Sequence, residues 1–349
     1  MSALPSDQLA RADLASIPRL APGPDVEINL GENTNLWGSP PAAIAALREA
    51  AVAVTHYPDM YAGSLKRTVA ELAGVATECV VTGNGSDDVI DCAIRAFASP
   101  GERIAHPEPT FVMVPIFSRL NSVVPVPVPL RPNFEMDCDA LLATGARIIY
   151  LCSPNNPVPV STRLEEIRRV IANAPGLVIL DEAYVDFTGE PGLLREAPAL
   201  GRVLVCRTLS KAHGLAGLRA GYATAAASIV EAVEKSRGPF KVNTMAERAS
   251  VAALTEGREW VRAHVAEAIS SRDRLAGALR TLGLPPLPSH ANFLLVPTSR
   301  AFALATHLRE RGIAVRPFRN LPGIGDAFRI TAGPWPLMER VLAALREAA

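Results

Sequence analysis

Between residues 80 and 207 the chain repeats one pattern: a short unbroken apolar run, a polar or glycine-containing bend, then a stretch with helical periodicity. The runs are 80–82 (VVT), 103–105 (RIA), 147–152 (RIIYLC), 177–180 (LVIL) and 202–207 (RVLVCR). A strand with one wet face alternates apolar and polar residues, whereas a strand covered on both faces has no reason to. Unbroken runs separated by helical stretches at 87–98 and 164–172 therefore predict buried parallel strands of an α/β sheet. Polar and charged residues gather just past these runs, and in open α/β sheets ligands bind in the crevice at the carboxyl ends of the strands. The stretch 125–132 alternates Pro with Val and reads as an edge strand or an extended connector, because Pro has no N–H for a central ladder.

Beyond about residue 245 the pattern changes. Residues 246–282 form a long helical stretch rich in Ala, Arg and Glu, followed by strand candidates at 291–296, 313–316 and 327–331 and a terminal helix from 335 towards 349. At about 150 residues per domain, 349 residues suit two domains. The expected fold is α/β, with a large, mostly parallel-sheet domain at 41–245. A smaller α+β domain takes 246–349 together with the N-terminal segment 1–40.

Charge and motifs remove several function classes. Lys and Arg total 35 and Asp and Glu total 35, so the net charge is zero. Binding nucleic acid through its phosphates, or an anionic membrane surface, calls for an excess of positive charge; no nucleic-acid or membrane partner is expected. No H-E-x-x-H is present, and the six His stand apart from one another, so no metal site is expected. No Ser has Gly two residues away on both sides, and no G-x-x-x-x-G-K-[ST] occurs. The dinucleotide fingerprint begins at Gly83-Asn84-Gly85 but position 88 is Asp. The five Cys are dispersed with no C-x-x-C, as in reduced cytosolic proteins. Asp7 and Asp13 near the start, with no apolar core between them, read as no secretory leader. The longest uncharged stretch, 281–299, holds four prolines and cannot be a membrane helix.

Four segments fall at the ends of the predicted strands: Gly83-Asn84-Gly85-Ser86-Asp87, Ser153-Pro154-Asn155-Asn156-Pro157, Asp181-Glu182-Ala183-Tyr184, and Ser210-Lys211 with Arg219. Together they could supply what pyridoxal phosphate needs. That cofactor requires a lysine for a Schiff base, a carboxylate at its ring nitrogen, donors for its phenolic oxygen and a cradle for its phosphate. Lys211 is the candidate amine, although alone it reads as a surface lysine. Asp181 suits the ring nitrogen, and a strand-end Asp equally caps a following helix. Tyr184 and Asn156 suit the phenolic oxygen; a half-buried Tyr and an Asn-Pro turn have ordinary structural roles too. Ser86 and Asp87 open a helix whose N–H groups can bind an anion, and either can cap that helix instead. Arg219 adds a fixed cation. Phe111 is a candidate ring-stacking aromatic or plain core. Arg316 and Arg329 each interrupt an apolar strand, where a guanidinium is costly without an acidic partner or an anionic ligand.

In this order, these segments resemble the fold-type I pyridoxal-phosphate-dependent aminotransferases, and most closely the histidinol-phosphate aminotransferases. The resemblance runs from about residue 29 to 333. It also takes in Tyr57-Pro58-Asp59, Thr208-Leu209-Ser210-Lys211, Gly214-Leu-Ala-Gly-Leu-Arg219, Pro239-Phe-Lys-Val-Asn243, Ala291-Asn-Phe-Leu294, Gly312-Ile-Ala-Val-Arg316 and Arg329-Ile-Thr331. It implies the fold-type I transferase fold. It further implies Lys211 as Schiff-base lysine and acid/base, Asp181 at the ring nitrogen, and Tyr184 with Asn156 at the phenolic oxygen. Ser86, Asp87, Ser210 and Arg219 would hold the phosphate, Arg329 the substrate carboxylate, and Tyr57 would reach the neighbouring subunit of a homodimer.

The family's N-E-N-P-x-G stretch reads here Asn33-Thr34-Asn35-Leu36-Trp37-Gly38, with Asn35 retained as a substrate-side candidate. Its P-T-G is Pro157-Val158-Pro159, its stacking Tyr is Phe111, and the Phe after S-K-A is His213. The cofactor residues are kept while the substrate side has drifted. The resemblance implies an aminotransferase moving an amino group between an amino acid, or an amino-alcohol phosphate such as histidinol phosphate, and a 2-oxo acid; the dispersed cysteines place it in the cytoplasm. The alternative is a decarboxylase of the threonine-phosphate decarboxylase type, which shares most of these motifs.

Overall fold

The computed structural model describes residues 23–348 continuously, together with 9–11, 14 and 17–19. The remaining N-terminal positions, which include Asp7 and Asp13 and which the sequence assigns to the smaller domain, lie outside the described residues.

Strand β1 (Ile28–Asn29) is followed by helices α1 (Pro41–Ala50) and α2 (Gly63–Ala73), then by β2 (Val80–Asn84), α3 (Gly85–Phe97), β3 (Arg103–Glu108), α4 (Met113–Leu120) and β4 (Val124–Pro129). The chain continues through α5 (Cys138–Ala143), β5 (Ile148–Cys152), α6 (Leu164–Asn173), β6 (Leu177–Asp181), α7 (Ala197–Leu200), β7 (Val203–Thr208), β8 (Ala220–Thr224) and α8 (Ala227–Ser236). It closes with α9 (Thr244–Leu254), α10 (Arg258–Thr281), β9 (Phe293–Pro297), α11 (Ala301–Arg309), β10 (Ile313–Ala314), β11 (Arg316–Leu321), β12 (Gly325–Thr331) and α12 (Trp335–Glu347).

The central sheet has seven strands in the order β2-β8-β7-β6-β5-β3-β4. All run parallel except β8, which is antiparallel to both β2 and β7. Both faces are buried, as the unbroken apolar runs require. Val80, Ile149, Leu151, Val178, Leu180, Val203 and Val205 pack into one apolar cluster. Their neighbours Val81, Ile148, Tyr150, Cys152, Ile179, Leu204 and Cys206 pack into another, with residues of α3 and α8. Each large aliphatic side chain withdrawn from water in this way stabilises the fold by roughly 1.5–3 kcal/mol. The Pro-Val stretch forms edge strand β4, paired on one side only with β3, where proline's missing N–H costs no ladder bond.

Three local features differ from the expectations. The helix expected from 87 starts at Gly85, and neither Ser86 nor Asp87 caps it; the Asp88 carboxylate instead accepts from the Asn84 N–H at 3.1 Å. The single helix expected over 246–282 is two, α9 and α10. Thr255 leaves the helical region (φ −106°, ψ −89°), and Gly257 sits so close to Ala253 that a Cβ there would lie 2.9 Å from its backbone. The strand expected at 313–316 splits at Val315. Ile313 and Ala314 pair in parallel with β1, while β11 joins the three-stranded antiparallel sheet β11-β12-β9. Strands β1 and β10 form a two-stranded sheet of their own, which ties the segment leading to α1 to the chain entering β11.

Candidate active site

At the carboxyl ends of β5, β6 and β7 lies a cavity of about 650 Å³. Its lining includes Ser86, Asp87, Phe111, Asn156, Asp181, Tyr184, Ser210, Lys211, Arg219, Arg316 and Arg329. Segments separated by up to 298 positions in the chain, from Gly31 to Arg329, thus converge on one space, with the C-terminal sheet as one of its walls.

One end is cationic and backbone-lined. Residues 85–87 form the first turn of α3, where N–H groups have no helical acceptor. Two glycines permit the arrangement. Gly85 has φ +81° and a Cβ there would lie 2.7 Å from Arg219 Nη2; a Cβ at Gly221, in β8, would lie 2.3 Å from Ser86 N. Arg219 donates to Ser210 Oγ at 3.3 Å and to Asp87 Oδ2 at 3.2 Å, so guanidinium, hydroxyl and helix N-terminus form one group. Burial pushes the Asp87 carboxyl upward, against the opposing pull of Arg219 and Lys211.

Lys211 lies just past β7. Its Nζ donates to the Glu32 carbonyl at 2.9 Å and is 5.9 Å from the centre of the Tyr184 ring. Burial, helped by the Arg329 and Arg219 charges and opposed by Asp87 and Glu32, lowers its pKa to about 8. An appreciable neutral fraction at physiological pH makes it a nucleophilic amine.

Asp181 ends β6, 4% exposed. Tyr150 donates to its Oδ2 at 2.8 Å and the Ala183 N–H to its Oδ1 at 3.0 Å, a local turn and not a helix cap. Burial raises its pKa to about 6, these two bonds opposing the rise. Tyr184 is buried and packs edge-on against Phe293, with ring centres 5.2 Å apart. Its hydroxyl accepts from Asn33 Nδ2 at 3.0 Å, which leaves its own proton to donate elsewhere. Burial drives that hydroxyl above its ordinary range.

Across the cavity, Arg329 donates to Asn156 Oδ1 and to the Gly31 carbonyl. The acid that acts on it, Glu32, makes no ion pair with it, and its buried Nε has no hydrogen-bond acceptor among the described residues. Its pKa falls to about 10 through burial, with Arg316 adding to the fall. The cost of burying Arg329 is therefore not offset by an ion pair among the described residues, which leaves an anionic ligand as the natural partner; Arg316, expected to be equally costly, is exposed and carries no such cost.

Two predicted residues are not brought to the cavity. Tyr57 is 83% exposed and stacks on Phe240 at 4.8 Å. Asn35 is spent on structure: it donates to the Ala212 carbonyl at 2.9 Å and accepts from Trp37 N, anchoring the N-terminal segment beside Lys211. Two residues outside the sequence expectations contribute. Asn33 holds the Tyr184 hydroxyl, and Asn155 fixes the turn that carries Asn156 by bonding to Thr110 Oγ1 (2.7 Å) and the Pro109 carbonyl (2.9 Å). The Asn-Asn pair was the available signal for Asn155.

A mostly parallel sheet covered on both faces, with a lysine, a buried carboxylate and an anion cradle at its carboxyl ends, defines a pyridoxal-phosphate transferase of the α/β class. The family model "Aminotransferase class I and II" matches residues 25–345, and the chain belongs to that family. It is a pyridoxal-phosphate-dependent aminotransferase. Among curated relatives, histidinol-phosphate aminotransferase 1 of Burkholderia pseudomallei is 36% identical over 331 residues, covering 92% of each chain. Histidinol-phosphate aminotransferase of Parabacteroides distasonis is 34% identical over 318 residues, 88% of this chain and 87% of that one. The solved histidinol-phosphate aminotransferase of Sinorhizobium meliloti, in complex with pyridoxal-5'-phosphate, superposes with a TM-score of 0.90 over 98% of this chain and 99% of that one at 24% identity, a likeness of fold.

Proposed function

We propose that the amino donor is an amino acid or an amino-alcohol phosphate such as histidinol phosphate, the acceptor a 2-oxo acid, and that the cavity residues act as follows. The observation that carries the reading is that Lys211, with its lowered pKa, shares one cavity with the buried Asp181 and the Arg219 cradle. Pyridoxal phosphate fits this donor set: the Gly85 and Gly221 contacts show a cradle in which any side chain would displace backbone or the guanidinium. Ser86, Asp87, Ser210 and Arg219 would hold its phosphate, Asp181 its ring nitrogen, Tyr184 and Asn156 its phenolic oxygen, and Phe111 a ring face. When bound, the cofactor supplies an aldehyde that captures the donor's amine and a ring that takes up the electron pair released at Cα.

The chain does the rest. Lys211 Nζ would take the proton from Cα of the donor and deliver it to the carbon that the cofactor's aldehyde contributes, across the donor nitrogen, as a general acid/base near its working pKa. Asp181 keeps a negative charge facing the ring nitrogen, so that the nitrogen retains its proton. Arg329, with Arg316 beside it, orients the donor through its carboxylate or phosphate. The names of the curated relatives favour histidinol phosphate; Thr34 and Pro157-Val158-Pro159, which depart from the family pattern, favour a different donor.

The same reading keeps the two-domain division at 41–245 and 1–40 with 246–349. It is supported by a seven-stranded sheet within 80–224 and a separate three-stranded sheet within 293–331. A homodimer accounts for the exposed Tyr57, stacked on the half-buried Phe240, with Tyr57 reaching a neighbour's phosphate site. A cytoplasmic location accords with five free cysteines. No described helix is long and apolar enough to cross a membrane.

The test is a screen of donors, including histidinol phosphate, against 2-oxo acids, read by cofactor absorbance and by released carbon dioxide. Amino transfer without carbon dioxide supports the reading. Stoichiometric carbon dioxide with no amine on the cofactor replaces it with the decarboxylase.

A further inference from the structure

Asp181 has cysteines for sheet neighbours on both sides: Cys152 on β5 and Cys206 on β7 stand opposite it in register. Neither thiol donates to it. The charged groups around it are unfavourable ones, Asp87 from α3 and the adjacent Glu182. One side-chain hydroxyl bonds to it, that of Tyr150, two residues before Cys152 on the same face of β5. Tyr150 is fully buried, and its hydroxyl donates to Asp181 Oδ2 at 2.8 Å. The Ala183 N–H occupies the other oxygen. Each carboxylate oxygen therefore carries one donor from the protein, and both hold the group facing the cavity.

We propose that Tyr150 is a positioning residue for the transamination. Its hydroxyl keeps the negative charge on Asp181 and fixes the orientation in which that carboxylate meets the cofactor's ring nitrogen. This rests on the reading that Asp181 faces that nitrogen. Packing alone does not account for the hydroxyl, since Phe fills the same volume and leaves no buried O–H to satisfy. A hydrogen bond to a charged group, once removed, moves the carboxyl midpoint by about one to two pH units. The direction is upward, because the donor favours the ionised form.

The experiment compares the parent with Tyr150→Phe, Tyr150→Leu and Asp181→Asn. It measures pyridoxal phosphate affinity of the apoenzyme by equilibrium titration from pH 5 to 9, alongside kcat and KM of the holoenzyme. For Tyr150→Phe the proposal expects the acid limb of both profiles to move up by about one pH unit or more. At pH 7 kcat falls about tenfold with KM little changed, and activity recovers as pH is raised. Tyr150→Leu adds a loss of thermal stability that Phe does not show. An acid limb for Tyr150→Phe that coincides with the parent's overturns the proposal, as does an equal, pH-independent loss in the Phe and Leu variants. If Asp181→Asn also leaves affinity and turnover unchanged, the assignment of Asp181 to the ring nitrogen fails instead. If Asp181→Asn is impaired while Tyr150→Phe matches the parent, only the role of Tyr150 falls.

Discussion

Arg316 and Arg329 stand directly opposite one another across the β11–β12 pair, two guanidinium groups facing a single cavity. Like charges placed opposite in a sheet destabilise it, and among the described residues Arg329 makes no ion pair, the Glu32 charge offsetting the repulsion only in part. The pair therefore holds unfavourable energy that an anion relieves. A saturating 2-oxo acid or inorganic phosphate is expected to raise the melting temperature of the parent and to do so less in Arg316→Ala. Arg329→Lys keeps the charge but loses the planar fork. KM for the anionic donor is expected to rise about ten- to a hundredfold, the loss of a charge-assisted hydrogen bond, with kcat less affected. Steady-state kinetics across donors checks this.

The lowered pKa of Lys211 sets a pH dependence with a definite sign. Its folded value is about 8 against an ordinary 10.5. The unfolded chain therefore binds more protons between those values, and this group's contribution to apoprotein stability increases as pH rises from 8 to 10.5. Cofactor attachment needs the neutral amine, so its rate should climb through about pH 8 and level off above. Arg329 is the largest charge lowering that value. Arg329→Gln should move the midpoint upward, and stopped-flow absorbance from pH 6.5 to 10 measures both. A midpoint near 10.5 in the parent would show that the amine is not perturbed.

The fold class was legible in the residues and some of its elements were not, for physical reasons. Strands β5, β6 and β7 stand out because both their faces are buried and no polar residue interrupts them. Strand β8 (AGYAT) has no clear sequence signal. Its small residues and two-faced burial give neither an apolar run nor an alternation, and the glycine that lets α3 approach also weakens the strand signal. The break between α9 and α10 carries only Gly257, a weak stop signal without a proline. Tyr150 sits inside an apolar run that gives no sign of a polar role, and only the fold shows Asp181 beside its hydroxyl. Asn33 and Asn35 lie two residues apart in one stretch; which of them serves the cavity depends on the direction of the segment, and that is set by β1 pairing with β10, nearly 300 positions away.

Glycine positions give opposed expectations. At Gly221 an added Cβ meets the backbone of Ser86 and Gly85 at 2.3–2.5 Å, which must push the first turn of α3 out of place. Gly221→Ala is expected to cost about 1–3 kcal/mol and to weaken cofactor binding. At Gly277, exposed within α10, a Cβ meets nothing within 4 Å. Gly277→Ala is expected to stabilise by about 0.5–1 kcal/mol and leave cofactor affinity unchanged. Denaturant melts and cofactor titrations on the two variants check both.

The most direct test of the account is borohydride reduction of the holoprotein followed by peptide mass spectrometry. The account predicts a reduced pyridoxyl adduct on Lys211 alone, with Lys211→Ala showing no adduct and turnover lower by about 10²–10⁴-fold. An adduct on another lysine, or a Lys211→Ala protein that turns over at the parent rate, would contradict it.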